Sequence, residues 1–201
     1  MATENKKYRG VFLDEEDKPI EGSEFTDWKS RSVAVTCFIT SKTHDGQYEF
    51  LLEKRGSGCP DEIGKLVAPC GYVGWDETLR EAAVREVYEE IGLKLNPLDL
   101  MFTGINDDPA ENRQNITVRF MVEVPEKELV NIINNFDADS QKRGGEAKEV
   151  DEVMLVPYFY VKDHADEFGF GHDKIIKEIL TNLSEIRKGF FIDALCRRGM
   201  A

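Results

Sequence analysis

The stretch Gly71–Leu93, GYVGWDETLREAAVREVYEEIGL, decides how the rest of the chain is read. Asp76 stands just before a helical pattern, where a carboxylate can accept from the orphan N–H groups of a first turn. From Glu77 to Ile91 there is no Gly or Pro, and good helix formers dominate. Gly92 follows, the residue best suited to a left-handed helix stop. The stretch therefore predicts one helix of about four turns, entered through a Gly-containing loop.

At about 100° per residue, Leu79, Ala82, Ala83 and Val87 form an apolar stripe, with Val84 and Ile91 beside it. Glu86, Glu89 and Glu90 stand at i, i+3 and i+4 on one face. Like charges at that spacing cost an isolated helix about 0.2–0.5 kcal/mol per pair. A hard divalent cation removes the cost, because Mg²⁺ takes carboxylate oxygens and keeps room for a phosphate substrate. The plainer reading is a solvated acidic face.

The full spacing separates the two readings. Gly71, five residues, Glu77, seven residues, Arg85-Glu86-Val87, one residue, Glu89-Glu90, one residue, Gly92-Leu93 fills every defined position of G-x5-E-x7-R-E-U-x-E-E-x-G-U, with U aliphatic. The chain thus resembles the Nudix hydrolases, of MutT type, and more loosely so from Ser32 to Pro157. The resemblance implies an α/β fold, an α/β/α sandwich around a mixed central sheet, with a loop–helix–loop metal site. It implies hydrolysis of a diphosphate linked to another group X, with Mg²⁺ as cofactor and Mn²⁺ as substitute. It assigns Glu86, Glu89 and Glu90 to the metal, and makes Glu86 or Glu89 a candidate to activate water. By the same resemblance Gly71 offers a carbonyl to the metal, Arg85 orients the helix carboxylates, and Glu77 is a secondary metal or structural contact.

Composition sets bounds. The chain has 201 residues, suiting one domain with decorations, and 41% are hydrophobic. The net charge of −13 argues against a nucleic-acid surface and against an anionic membrane. A metal can still bring a polyphosphate to an acidic protein. Cys37, Cys59, Cys70 and Cys196 form no C-x-x-C pair, so zinc is not expected. There is no apolar leader and no run of 18 apolar residues, which points to a cytoplasmic protein.

Residues 1–30 read as an N-terminal arm or hairpin, 31–189 as the catalytic domain and 190–201 as a C-terminal tail packing back through Phe190-Phe191-Ile192. The arm is compatible with a homodimer by analogy with relatives acting on nucleotide sugars, and equally with a plain surface hairpin. Trp28 could stack on a nucleobase or simply pack. Ser32–Thr40 and Gln47–Arg55 read as strands around the turn His44-Asp45-Gly46. Arg55 ends its strand either as a phosphate contact or in solvent. Tyr72 and Trp75 wall the pocket or anchor the loop. Leu66–Ala68, Leu98–Ile105, Asn115–Val124 and Val153–Val156 read as further strands, and Pro125–Phe136 and Asp173–Lys188 as helices. Arg113, in the loop before Asn115, is a candidate partner for a phosphate or ribose. Glu149, then Glu146 and Glu152, are candidates for a general base or extra ligand outside the box. His172 reads as a cap or packing residue.

The substrate expected on this basis is a small nucleotide, first ADP-ribose or a nucleotide sugar. Clean-up of nucleoside triphosphates is the alternative of the same chemistry. A nucleotide-sensing module without turnover is the alternative of another class.

Overall fold

A computed structural model describes residues 7–13, 19–28, 31–138 and 148–197. Glu146, the Gly144-Gly145 loop and the polar start of the chain lie outside the described residues. The arm is a hairpin: β1 (Lys7–Leu13) pairs antiparallel with β2 (Pro19–Trp28). Trp28 ends β2, and its side chain lies outside the described structure.

A mixed seven-stranded sheet forms the body. Its central strand β3 (Ser32–Lys42) runs parallel to β8 (Asn115–Glu123), and β8 pairs antiparallel with the edge strand β7 (Met101–Asn106). On its other side β3 meets two partners in turn. Its far half, from Ile39 to Lys42, pairs with β4 (Tyr48–Arg55), and its near half, from Ala34 to Thr36, pairs with β6 (Cys70–Tyr72). The end of β4 has parted from β3 by then. Glu53 and Lys54 pair instead with β5 (Leu66–Val67), and the opposite edge of β4 carries β9 (Val150–Pro157). The segment from Leu66 to Tyr72 thus fills a wedge between two splayed strands.

Helices cover both faces, giving the expected three layers. On one face α1 (Leu79–Ile91) and α2 (Glu126–Asn135) pack through Ala82, Ala83, Val87, Ile91 and Leu129 onto Val35, Cys37, Ile39 and Leu51. On the other, α3 (Tyr158–Asp163) and α4 (His172–Arg197) pack through Val161, Ile176, Ile179 and Leu183 onto Phe38, Phe50 and Leu52. Apolar residues on both parities of β3 and β4 follow from this double covering.

Three local expectations need correction. The cap of α1 is Thr78, not Asp76: the Thr78 hydroxyl accepts from Glu81 N, and the Glu81 carboxylate accepts from Thr78 N in return. This capping box meets two orphan donors at once, which a lone Asp76 two residues earlier cannot do. The expected strand from Leu98 begins only at Met101, because Pro97–Asp99 form a 3-10 turn capped by Asn96. The expected tail from Phe190 continues α4 as far as Arg197. Phe190 packs on the core, but Phe191 and Ile192 are 64% and 60% exposed, since a helix cannot turn three successive residues to one side. Gly92 does close α1 in the left-handed conformation, with φ 77° and its N–H on Tyr88 O.

Candidate active site

The box loop and α1 present their carboxylates around the wedge. Glu86 and Glu90 are buried, while Glu89 is exposed at the rim. Gly71 makes room for Glu86: a Cβ at Gly71 would lie 2.1 Å from Glu86 Oε1. Glu90 Oε2 accepts from Cys70 N at 3.0 Å. That bond uses the backbone, so the cysteine side chain leaves the motif intact.

Arg85 organises the rest. Its Nε and Nη2 grip Glu77 at 2.9 and 2.7 Å, a bidentate pair of the kind guanidinium geometry favours. Nη1 donates to Glu86 Oε1 at 2.7 Å and Glu89 Oε2 at 3.1 Å, and Nη2 also reaches Tyr72 O at 2.9 Å. Glu77 in turn accepts from Gly74 N at 2.6 Å. The Arg85 guanidinium, ahead of the Gly74 N–H, holds the Glu77 carboxyl below its ordinary range. In this arrangement Glu77 joins the box loop to the helix through Gly74 N and Arg85.

Glu53 belongs to the same cluster, and sequence reasoning missed it. It sits on β4 with 1% exposure, on the parity of Leu51, which faces α1. Burial, followed by the negative charges of Glu149 and Glu86, pushes Glu53 up to about 8 against the opposing pull of Arg55. Burial, then Glu53 and Glu86, likewise raises Glu90 well above the ordinary carboxylate range, with the Cys70 N–H opposing. The available signal was a carboxylate set among inward residues of a strand apolar on both faces.

The remaining expected residues divide. Glu149 is half-buried beside this cluster, its carbonyl accepting from Gly56 N at 2.8 Å. Glu152 is exposed on β9 opposite Lys54. Arg55 is buried, not solvated: Nε and Nη2 donate to Asp61 at 3.1 and 3.0 Å, and the guanidinium lies over the Phe170 ring. Tyr72 is 55% and Trp75 94% exposed on the box loop. Arg113 is exposed in the β7–β8 loop, at the sheet end where β3 and β8 begin. Arg31 fixes that loop by donating to Asp107 O, Asn112 O and Asn115 O. A groove of about 1200 Å³ adjoins Glu77, walled by Val73, Phe102, Phe120, Ile186 and Phe190.

His172, at the start of α4, is buried and neutral. Its Nδ1 accepts from Ala68 N at 2.9 Å, and its ring meets Phe38 edge-on. It ties the far face of the sheet to the strand segment that leads into Gly71.

Among the described residues no three acidic, His or Cys side chains already stand as ligands around one point. The donor chemistry nevertheless fits a hard divalent cation: carboxylate oxygens only, with Glu53 Oε2 buried and reached by no N–H or hydroxyl.

A loop–helix–loop that gathers acidic side chains on a helix-covered mixed sheet defines the class. The NUDIX domain model matches residues 30–178, and the chain belongs to that family. An ADP-ribose pyrophosphatase from Methanocaldococcus jannaschii is 30% identical over 119 residues, a match that spans 58% of either chain. A mutT/nudix family protein from Listeria innocua superposes with a TM-score of 0.58 at 25% identity, covering 78% of this chain and 97% of that one. The NUDIX domain of Shewanella oneidensis NrtR, solved as a complex with ADP ribose, shares the fold at 16% identity, with a TM-score of 0.55 over 77% of this chain and 90% of that one. No described helix is long and apolar enough to cross a membrane.

Proposed function

We propose that this protein is a cytoplasmic pyrophosphohydrolase that cleaves the diphosphate of a nucleoside diphosphate linked to another group, ADP-ribose being the first substrate to test. The observation that carries this reading is the packing of Glu86 and Glu90 against Gly71 and Cys70, with Arg85 holding Glu86 and Glu89 in line. The match to an ADP-ribose pyrophosphatase supports the choice of substrate.

Glu86, Glu89 and Glu90, with the Gly71 carbonyl, would hold Mg²⁺ or Mn²⁺. The cation would supply charge neutralisation on the diphosphate oxygens. Glu86, Glu89 or Glu149 would take a proton from the attacking water. Arg85 keeps Glu89 in position, and a fixed geometry is where much of the rate of a phosphoryl-transfer enzyme originates. Arg113, Tyr72 and Trp75 stand exposed on neighbouring loops and would meet the nucleotide and X.

The test is a panel of ADP-ribose, nucleotide sugars, dinucleoside polyphosphates and deoxynucleoside triphosphates with Mg²⁺. Phosphate released by an added phosphatase is followed, with Glu90→Gln as control. ADP-ribose or a nucleotide sugar should dominate and the control should be silent. Activity confined to triphosphates would sink the substrate assignment. Ligand binding without turnover across the panel would sink the enzyme assignment.

A further inference from the structure

We propose that Glu53 is an additional ligand of the cation site, supplied by β4 from outside the box helix, and that its Oε2 binds the divalent cation directly. The inference rests on the cation reading above and extends it to a residue the motif does not contain.

Glu53 is 1% exposed; its side chain is hydrogen-bonded to Glu90, itself an acid, and no N–H or hydroxyl among the described residues reaches its Oε2. A buried acid kept for structure alone is normally met by donors, because an unpaired buried charge is costly. Arg55 stands near on the same strand, but its Nε and Nη2 are already on Asp61. Around Glu53 are Glu86 and Glu90 from α1 and Glu149 from the residue just before β9. Three separate segments thus bring acidic side chains within electrostatic reach of Glu53, although no three of them already converge as ligands. The wedge explains how this comes about. Where β4 leaves β3, Glu53 pairs with Val67 on one side and Val153 on the other, and its side chain projects onto the face that carries α1. A hard cation satisfies all these oxygens together, and Mg²⁺ demands several at fixed angles.

The experiment is Mn²⁺ uptake by the full chain, read by electron paramagnetic resonance of free Mn²⁺, in wild type and Glu53→Gln. Thermal unfolding of both is recorded in EDTA and in excess Mn²⁺. Glu53→Gln should weaken Mn²⁺ binding about tenfold or more. Its unfolding midpoint in EDTA should equal or exceed that of wild type, since the neutral amide keeps the shape of the side chain and takes one acid out of a crowded acidic cluster. The upward shift on adding Mn²⁺ should shrink. A purely structural Glu53 predicts a lower midpoint in EDTA with an unchanged Mn²⁺ shift, and equal Mn²⁺ affinity would overturn the proposal. If Glu53→Gln does not fold, Glu53→Asp replaces it, and wild-type Mn²⁺ affinity in that variant is the overturning result. A wild-type chain that takes up no Mn²⁺ overturns the cation reading itself, so the two failures are distinguishable.

Discussion

Gly71 and Glu86 are in direct contact: the Glu86 carboxylate occupies the space that any side chain at position 71 would need, with Oε1 2.1 Å from an ideal Cβ. Carboxylate placement therefore depends on the absence of a single methyl group. Gly71→Ala should push Glu86 off its position and lower kcat/KM about 100-fold, the scale of a 1 Å misplacement at a reacting centre. Steady-state kinetics with circular dichroism would check this. An active Gly71→Ala enzyme would show that Glu86 is not where the chemistry needs it.

Arg85 bonds three carboxylates and a carbonyl through a planar fork. Lysine offers a point charge and cannot grip Glu77 bidentately while reaching Glu86. Arg85→Lys should therefore lose about tenfold or more in kcat, in the range seen when groups that orient a metal site are changed. The half-exposed setting should limit the stability loss to about 1–3 kcal/mol. Activity near wild type in the lysine variant would show that charge alone suffices.

The two possible caps of α1 give opposite expectations. Thr78→Ala removes one half of the capping box and should cost about 1 kcal/mol in urea unfolding. Asp76→Ala, at an exposed residue ahead of the cap, should change stability by less than about 0.5 kcal/mol. Reversal of that order would return the cap to Asp76.

His172 sets a pH dependence. Burial, helped by the positive charges of Arg55 and Arg119, lowers it from 6.5 to about 3 in the folded chain. The unfolded chain takes up the proton near 6.5 and the folded chain does not, so the folded form is favoured fully above that pH. Stability should fall as pH drops from 6.5 towards 3. His172→Gln should flatten the dependence of the unfolding midpoint between pH 7 and 5. Parallel pH profiles for the two proteins would remove His172 as the cause.

The box loop and its helix were legible in the sequence because their signals are local. Helix periodicity places Glu86, Glu89 and Glu90 on one side from their spacing alone, and Gly92 marks the stop. Runs of β-branched and aromatic residues bounded by turn signals likewise located β3, β4, β8 and β9. Boundaries shifted where a short-range competitor intervened, as Thr78 and Glu81 did at one end of α1 and Asn96 did ahead of β7.

Sequence by itself determined the family, the box helix and the identity of its carboxylates. Tertiary structure alone decided which acids are buried together. Glu53 joins Glu86 and Glu90 only because β4 splays from β3 and Leu66–Tyr72 fills the gap. His172 meets Ala68 across 104 residues of chain. Tertiary structure also turned Arg55 inward to Asp61 and carried the apolar end of α4 into solvent. Spacing along a helix fixes directions over a few residues. Burial depends on register between distant segments, and no local pattern encodes that register.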